Sequence, residues 1–405
     1  MTNPGYNLFG GAGDLCEASF IERPNRFVVR GSLDGTIVDA HCPNPGRMLE
    51  ILLPGTPLLF RRLPEKPDRP GTTKRRLDYS LVAARHRGIL IPLASARAND
   101  LAEKIVLPLL FPEATAVRRE VALGRSRLDF LLEFGERAGR GTPAPSGSER
   151  LFLEVKACTL IEEGTAMFPD APTLRGVKHL EELASLADQG LPAGVLFILM
   201  NPQARRFVPN LHTDPGFTRK LISLSGKIRL LAVSIRIGED GLAAVANPDI
   251  PIDLAAAAAV QEDSGVYLLI LRLRQGTSLT VGSLGEIRFE PGWYIYAGSG
   301  RKNLSARIAR HRRRRKKLHW HVDFLLDRVP RGDVITLPIR SRRDLECPLA
   351  RAVAALAAGS TPGFGCSDCS CPSHLLRFDH DPLKDRRFLD LLLHYRHTVA
   401  LDRCS

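Results

Sequence analysis

Two short runs restrict this chain more than anything else in it: Arg125-Ser126-Arg127-Leu128-Asp129-Phe130 and, after an intervening stretch, Leu151-Phe152-Leu153-Glu154-Val155-Lys156. Read as strands with side chains alternating at period two, the first sets Asp129 on the face opposite Leu128, Phe130 and Leu132. The second sets Glu154 and Lys156 together. The Pro-, Gly- and Ser-rich stretch 137–150 reads as a long hairpin connection, which pairs the strands antiparallel and brings Asp129 towards Glu154. Two acids and a lysine then share one end of a sheet. Hard carboxylate oxygens suit Mg²⁺ or Mn²⁺, and a lysine beside them orients a water or steadies the charge of a phosphate. The competing reading is a solvated strand face, where Glu-x-Lys is common.

The surroundings favour the first reading. From Ser95 to Met200 the pattern runs helix (95–106), strand (117–123), strand, strand, helix (175–189) and buried strand (194–200). That succession, with an acid and then Glu-x-Lys on the next strand, resembles the restriction-endonuclease-like nuclease core. Longer words extend the likeness: His41-Cys42-Pro43-Asn44-Pro45-Gly46-Arg47-Met48, Ser126-Arg127-Leu128-Asp129-Phe130, Glu154-Val155-Lys156 and Phe168-Pro169-Asp170-Ala171-Pro172-Thr173-Leu174-Arg175-Gly176-Val177-Lys178-His179-Leu180. Over roughly 20–254 the chain resembles the sugar fermentation stimulation protein (SfsA) family. The resemblance implies an OB-like N-terminal β-domain, a nuclease-like α/β domain and DNA binding, and it leaves enzymatic activity open.

Read in order, 1–17 is Gly-rich and expected to fray, and 20–60 alternates short β-prone runs with Gly and Pro turns, which suits a small barrel. Barrels of the OB type carry nucleic acid on one strand face. Arg26, Arg30, Arg47, Arg61 and Arg62 are candidate phosphate contacts, Arg26 and Arg47 foremost, whereas Phe27 and Phe60 read as core. The stiff Cys42–Gly46 turn is expected to present His41 and Asn44, with Cys42 structural. A basic loop follows at 66–76, then two strands within 81–93. Glu120 is a lower-ranked further carboxylate. On the helix from Arg175, residues Arg175, Lys178 and His179 fall at i, i+3 and i+4 as a basic, DNA-facing side, while Leu180, Leu183 and Leu186 make the buried stripe. A helix at 215–224 and a strand at 227–237 close the domain, and 255–259 with the polar residues after it reads as a linker.

Beyond the linker, Gly265-Val266-Tyr267 heads an apolar strand, Tyr296-Ala297-Gly298 lies on another, and Leu304-Ser305-Ala306-Arg307-Ile308-Ala309-Arg310-His311 is helical. These words resemble a GIY-YIG endonuclease module. With His319-Trp320-His321-Val322-Asp323, Glu346-Cys347-Pro348-Leu349-Ala350-Arg351 and the Gly363–Leu375 run, they are similar to its Uri-type branch over about 265–378. The long gap between the triplets is filled by a hairpin around 276–285. The resemblance implies Tyr267 and Tyr296 with hydroxyls in one pocket, Arg307 against phosphorane-like charge with His311 on the same helix face, and Glu346 as ligand of a single divalent metal.

Six consecutive basic residues after His311 (Arg312, Arg313, Arg314, Arg315, Lys316, Lys317) form the densest charge run in the chain. They are read as phosphate contacts, with part of their charge complementing the helix dipole. Cys366, Cys369, Cys371 and His374 offer thiols and an imidazole, but the spacing is tighter than the usual two-knuckle zinc arrangement. A compact turn that packs its sulfurs is therefore preferred to Zn²⁺.

The net charge is +13, and its distribution matters: +10 falls from Glu262 onward (25 Lys/Arg against 15 Asp/Glu) and +3 before it (32 against 29). Such a field fits a polyanion, DNA in single-stranded or branched forms included. No segment resembles a signal peptide and no apolar run reaches membrane-spanning length, so a cytoplasmic protein without membrane contact is expected. Eight cysteines in 405 residues make no disulfide framework. Nothing in the sequence sets the number of chains in an assembly. The expected fold class is a multidomain α/β and α+β chain: an OB-like barrel (1–90), a restriction-endonuclease-like α/β core (91–254), a linker (255–263), a GIY-YIG α/β module (264–378) and a tail that docks as a helix (379–405). Two functions compete, a metal-dependent DNA endonuclease with two sites and a non-enzymatic DNA-binding regulator of sugar-metabolism genes.

Overall fold

The alternation in the first ninety residues closes into a barrel. Its five strands are β2 (Leu15–Asn25), β3 (Val28–Leu33), β4 (Thr36–His41), β5 (Pro57–Arg62) and β6 (Tyr79–His86), in the order β4-β3-β2-β5-β6. A parallel pairing of Ala40 and His41 with Tyr79 and Ser80 shuts the ring, the topology of an OB fold. Every other residue points inward, so Phe20, Val29, Leu58, Phe60 and Leu81 fill the interior. Burying each large apolar side chain contributes about 1.5–3 kcal/mol. This computed structural model describes residues 5–10, 15–64, 77–123, 126–135, 150–260, 262–313 and 315–402. The expected basic loop 66–76, the connection 137–149, Arg125 and Arg314 lie outside the described residues.

Two compact units divide after Ala255. In the first, β7 (Ile89–Pro92) extends the barrel sheet and a helical segment 97–110, with a π turn at Ala102–Val106, leads into a seven-stranded mixed sheet. Its order is β1-β16-β15-β13-β10-β9-β8, where β1 is Tyr6–Asn7, β8 Ala114–Leu123, β9 Ser126–Phe134, β10 Arg150–Cys158, β13 Ala193–Leu199, β15 Arg229–Ile237 and β16 Leu242–Asn247. Parallel β10, β13 and β15 form the centre. A strand covered on both faces has no reason to alternate, and the run Ala-Gly-Val-Leu-Phe-Ile-Leu of β13 is buried throughout. One face packs on the 97–110 helix and barrel residues, the other on helices Leu174–Asp188 and Pro215–Ser223. The Thr173 hydroxyl caps the first helix by accepting from Gly176 N (2.9 Å). Asp214 caps the second through Phe217 N (2.9 Å) and also accepts from Thr173 N (2.8 Å), which ties the two helix starts together.

Two words quoted for the SfsA resemblance meet in space. A small sheet is formed by β11 (Ile161–Glu162), β12 (Thr165–Phe168) and β14 (Arg206–Pro209), and Asp170 follows the end of β12. The Asp170 carboxylate sits against Gly46, where a Cβ would stand 2.1 Å from its Oδ2. Burial raises the Asp170 carboxyl, and backbone N–H groups of Met48, Asp170 and Arg47 oppose that rise. Arg23 clamps the same turn by donating to the carbonyls of Gly46, Arg47 and Asn44.

Several expectations are corrected here. Asn44 is buried and uses its Oδ1 on Gly46 N, so only His41 is presented. Phe27 is 49% exposed with the Arg26 guanidinium 4.5 Å above its ring, a surface platform rather than core. Leu128 packs with Leu131 on the helix face, away from Phe130 and Leu132; opposite this stretch Glu120 has a φ of +54°. Glu120 itself is exposed on Arg127. The stretch 255–263 read as linker starts where the two units divide, and its first residues belong to a short helix, Leu254–Ala258.

The second unit is built on a five-stranded antiparallel sheet in the order β21-β17-β20-β23-β22. These are β17 (Gly265–Leu273), β20 (Gly292–Gly300), β21 (Val334–Arg340), β22 (Gly359–Ser360) and β23 (Leu375–Phe378). The expected hairpin is β18 (Thr277–Thr280) with β19 (Glu286–Phe289). Helices Leu304–His311, His321–Leu326, Glu346–Ala354 and Arg386–His394 pack around the sheet, the last burying Phe388, Leu389 and Leu392. Among the described residues no helix is long and apolar enough to cross a membrane.

Candidate active sites and basic surface

In the first unit the β9–β10 ladder runs from Glu133↔Arg150 to Phe130↔Leu153 and then stops. At the next step the Asp129 carboxylate replaces the backbone: its Oδ2 accepts from Val155 N (2.8 Å) and its Oδ1 from Asn99 Nδ2 (2.8 Å). Glu154 stands on the adjacent strand, only 2% exposed, in contact with Lys156 Nζ and His179 Nδ1 through Oε1. Its second oxygen, Oε2, is buried without a hydrogen-bond partner. Asp129, Glu154 and Lys156 are therefore brought together.

Their electrostatics pull the two acids apart. Burial, then the charge of Glu154, raises the Asp129 carboxyl. Burial pushes Glu154 the same way, but His179 and Lys156 more than offset it and hold Glu154 below the usual carboxylate range. An ionised acid beside one that resists ionisation is a pair whose second charge invites a cation.

His179 is reassigned by this geometry. It is buried, so it is an internal partner of Glu154 rather than a DNA contact. The Arg175 guanidinium, which can only donate, donates to His179 Nε2 (3.2 Å), which leaves Nδ1 to carry the ring proton towards Glu154. Arg175 and Lys178 are exposed, Lys178 3.6 Å from Glu182. Arg26 and Arg47 are exposed on the barrel side, whereas Arg30 is engaged by Asp39 and Glu22. Asn99 was missed by sequence reasoning, since an asparagine on a short helix carries no signal.

The second site is assembled across β17 and β20. Tyr267 pairs with Gly298 and Tyr296 with Leu269, so both phenols lie on one face, ring centroids 6.4 Å apart. Helix Leu304–His311 covers them. His311 is buried, its Nε2 2.7 Å from the Tyr267 hydroxyl and its Nδ1 3.6 Å from Asp323. Arg307 donates to Ser299 O (2.5 Å) and lies 4.5 Å over the Trp320 ring. Glu346, at the start of its helix, is close enough for its charge to raise both phenols and to interact with Arg307. Burial is the larger cause of the rise in Tyr267 and Tyr296, so neither is a phenolate at neutral pH. For Glu346, burial is outweighed by His374, Ser299 and Arg307, and its carboxyl falls below the usual range.

Asp323 was quoted in a sequence word but given no role. It is fully buried and accepts from Arg310 (2.9 Å), Lys316 (2.8 Å) and the backbone N–H groups of His319 and Trp320 (3.1 Å each). Lys316 is thereby removed from the expected phosphate contacts: its side chain is only 6% exposed. Arg312, Arg313, Arg315 and Lys317 are exposed. A surface concavity of about 600 Å³ that sequence reasoning did not single out is lined by Arg301, Arg342 and Arg343 together with Glu262 and Asp344, which pair with Arg342 (3.3 Å) and Arg301 (3.1 Å). The cysteine cluster is also redrawn: Cys369, Cys371 and His374 converge with Cys347, not Cys366.

Comparison with known proteins follows these boundaries. Residues 21–93 match the SfsA N-terminal OB domain, 96–241 the sugar fermentation stimulation protein RE domain, and 266–394 the domain of unknown function DUF123, which corresponds to the Uri/GIY-YIG-like module. The last match includes the C-terminal helix read from sequence as a separate tail. The sugar fermentation stimulation protein homolog of Methanothermobacter thermautotrophicus is 37% identical over 206 residues, 50% of this chain and 78% of that one. The Desulfitobacterium hafniense homolog is 34% identical over 232 residues, 57% and 93% of the two chains. A solved structure of Pyrococcus furiosus SfsA in complex with Ca²⁺ aligns with a TM-score of 0.51 and 25% identity, covering 61% of this chain and 99% of that one.

Proposed function

The chain belongs to the sugar fermentation stimulation protein family, and from that premise we propose that it is a metal-dependent DNA endonuclease with two hydrolytic sites. The family and its OB domain support a DNA-related protein. The observation that carries the finer reading is Glu154 Oε2, a buried carboxylate oxygen without a donor beside an Asp129 whose ionisation is resisted. The residues present fit a divalent cation: each Asp129 oxygen keeps a second lone pair after its single hydrogen bond, and Oε2 is uncommitted. The P. furiosus relative was solved with Ca²⁺, also a hard, oxygen-seeking ion.

Asp129 and Glu154 would hold Mg²⁺ or Mn²⁺ in the first site, and Glu346 in the second. When bound, the cation supplies Lewis-acid neutralisation of the scissile phosphate. Lys156, held against Glu154, orients the attacking water. In the second site Tyr267 accepts a proton from water as it passes its own to His311 Nε2; Asp323 favours the imidazolium, against burial and the charges of Lys316 and Arg310. Because the phenol is pushed far up, this concerted relay replaces a free phenolate. Arg307 faces the developing phosphorane charge. Exposed Arg26, Arg47, Arg175, Arg312, Arg313, Arg315 and Lys317 contact the backbone.

One observation favours the binding-only alternative: the Glu154 charge is already matched by Lys156 and His179. The test is cleavage of plasmid, flap, junction and single-stranded DNA by the full chain with Mg²⁺ or Mn²⁺, comparing Asp129→Ala, Tyr267→Phe and the double variant. Each single change is expected to leave one activity and the double none, with DNA still retained. Binding without any cleavage by the unaltered chain would establish the alternative, and cleavage surviving the double change would remove both site assignments.

A further inference from the structure

Four residues from two separate parts of the second unit aim their donor atoms at one point. Cys347 is the second residue of helix Glu346–Ala354, while Cys369, Cys371 and His374 come from the loop between β22 and β23. One ligand atom from each lies within 4.8 Å of all the others. His374 Nε2 is 3.6 Å from Cys369 Sγ and 3.9 Å from Cys347 Sγ. Around a tetrahedral zinc with bonds of about 2.3 Å to sulfur and about 2.0–2.1 Å to nitrogen, neighbouring sulfur and nitrogen ligands stand about 3.6 Å apart. The donors are thus spaced as a zinc ion would hold them. We propose that Cys347, Cys369, Cys371 and His374 form a Cys₃His zinc site, and that this site positions Glu346 through His374.

The loop has little else to define it. Apart from buried Phe364 it contributes few apolar side chains before Leu375, and its backbone is held by isolated bonds such as His374 N to Phe364 O (2.8 Å) and Gly363 N to Pro372 O (2.9 Å). A metal staples such a segment outright. Cys366, which completes a sequence pattern with Cys369, lies outside the converging set. Binding Zn²⁺ releases three thiol protons to solvent and requires no oxidant or reductant.

The coupling to Glu346 follows from imidazole chemistry. With Nε2 bonded to zinc, the remaining ring proton must sit on Nδ1, which is buried, lacks a hydrogen-bond partner and lies 3.5 Å from Glu346 Oε1. A metal, an imidazole and a carboxylate in series is the arrangement by which an outer partner is oriented and held. Glu346 is joined to the cluster a second time, because the next residue in its helix is the ligand Cys347. The zinc site does not rest on the nuclease reading. The consequence for Glu346 does, and it is read below by metal binding as well as by cleavage.

The experiment uses the full chain purified under reducing conditions. Elemental analysis is expected to find one zinc per chain, and Co²⁺ exchanged for it should give tetrahedral ligand-field bands with thiolate charge transfer. Cys366→Ser should keep the metal; Cys347→Ser and Cys371→Ser should lose it, with circular dichroism reporting whether each variant folds. Mn²⁺ titration followed by electron paramagnetic resonance, in an Asp129→Ala background, should show about 10–100-fold weaker binding once zinc is chelated, with second-site cleavage falling in step. Absence of both zinc and a cobalt spectrum in the unaltered chain overturns the site, as does zinc retained in Cys347→Ser. Equal Mn²⁺ affinity with and without zinc overturns the positioning role alone. A chain that binds zinc and never cleaves DNA keeps this proposal and loses the nuclease one.

Discussion

Gly298 offers the sharpest test of how the second site is packed. It stands opposite Tyr267 in the β17–β20 ladder, and a methyl built there would lie 2.5 Å from the Tyr267 hydroxyl oxygen, 2.6 Å from its Cζ and 2.9 Å from Tyr296 Cε1. Non-bonded heavy atoms rest about 3.5–4.0 Å apart, so the phenol must yield by about 1 Å. The strands cannot move apart to absorb this, since β17 is paired on both sides for most of its length. The ring has no free space either, because Tyr267 is 2% exposed. Gly298→Ala therefore overpacks the site at a cost of about 1–3 kcal/mol, and a misplacement near 1 Å of a reacting group lowers the rate about 10²-fold. The assay pairs calorimetric melting with Mg²⁺-dependent cleavage in an Asp129→Ala background. Gly359→Ala, where an added Cβ meets nothing within 4 Å, is the control. A Gly298→Ala chain that melts and cleaves like its parent would refute the reasoning about packing.

Asp323→Asn should destabilise the second unit by about 3–5 kcal/mol at neutral pH, because it strands buried cationic groups. Burial alone would raise the Asp323 carboxyl, but donors from His311, Lys316, His319 and Trp320 hold it far below the usual range. The stability it contributes is thus present above the unfolded value of about 3.9 and is lost only as pH falls below it, so chemical denaturation of the two chains should converge in strong acid. Asp129 carries the opposite sign. Its folded carboxyl is raised, so its contribution is present below the unfolded value and lost as pH rises through the folded one. Metal-free melting should therefore show a penalty towards neutral pH that saturating Mg²⁺ relieves in the unaltered chain and not in Asp129→Ala. Replacing Arg312, Arg313, Arg315 and Lys317 with alanine should reduce the salt slope of DNA binding by up to about 3–4, at about 0.9 per phosphate, measured by fluorescence anisotropy. Lys316→Ala should instead lower the melting temperature, and an unchanged value would contradict its burial on Asp323.

Local pattern carried a large part of the architecture. Alternation in 15–62 and 79–86 is the inside and outside of a barrel, because strand side chains have period two and each inward position must be apolar. The unbroken apolar run at 193–199 marks a strand covered on both faces, and the Leu180, Leu183 and Leu186 stripe marks the face by which its helix packs. Asp129, Glu154 and Lys156 were legible as neighbours for the same reason, since adjacent antiparallel strands with known faces leave few registers. Other assignments depended on where distant segments return. Nothing near His179 says that it turns inwards to Glu154, nothing in six consecutive basic residues says that Lys316 is drawn under Asp323, and Cys366 looks as good a ligand as Cys347 until helix Glu346–Ala354 is laid beside its loop.

The sequence by itself thus determined which elements form and which face of each is buried, because those follow from periodicity and from the hydrophobic cost of error. The tertiary structure alone decided which polar groups share a partner. Buried charges and thiols are stabilised only by close, directed contacts, and those contacts join residues whose separation along the chain carries no periodic signal.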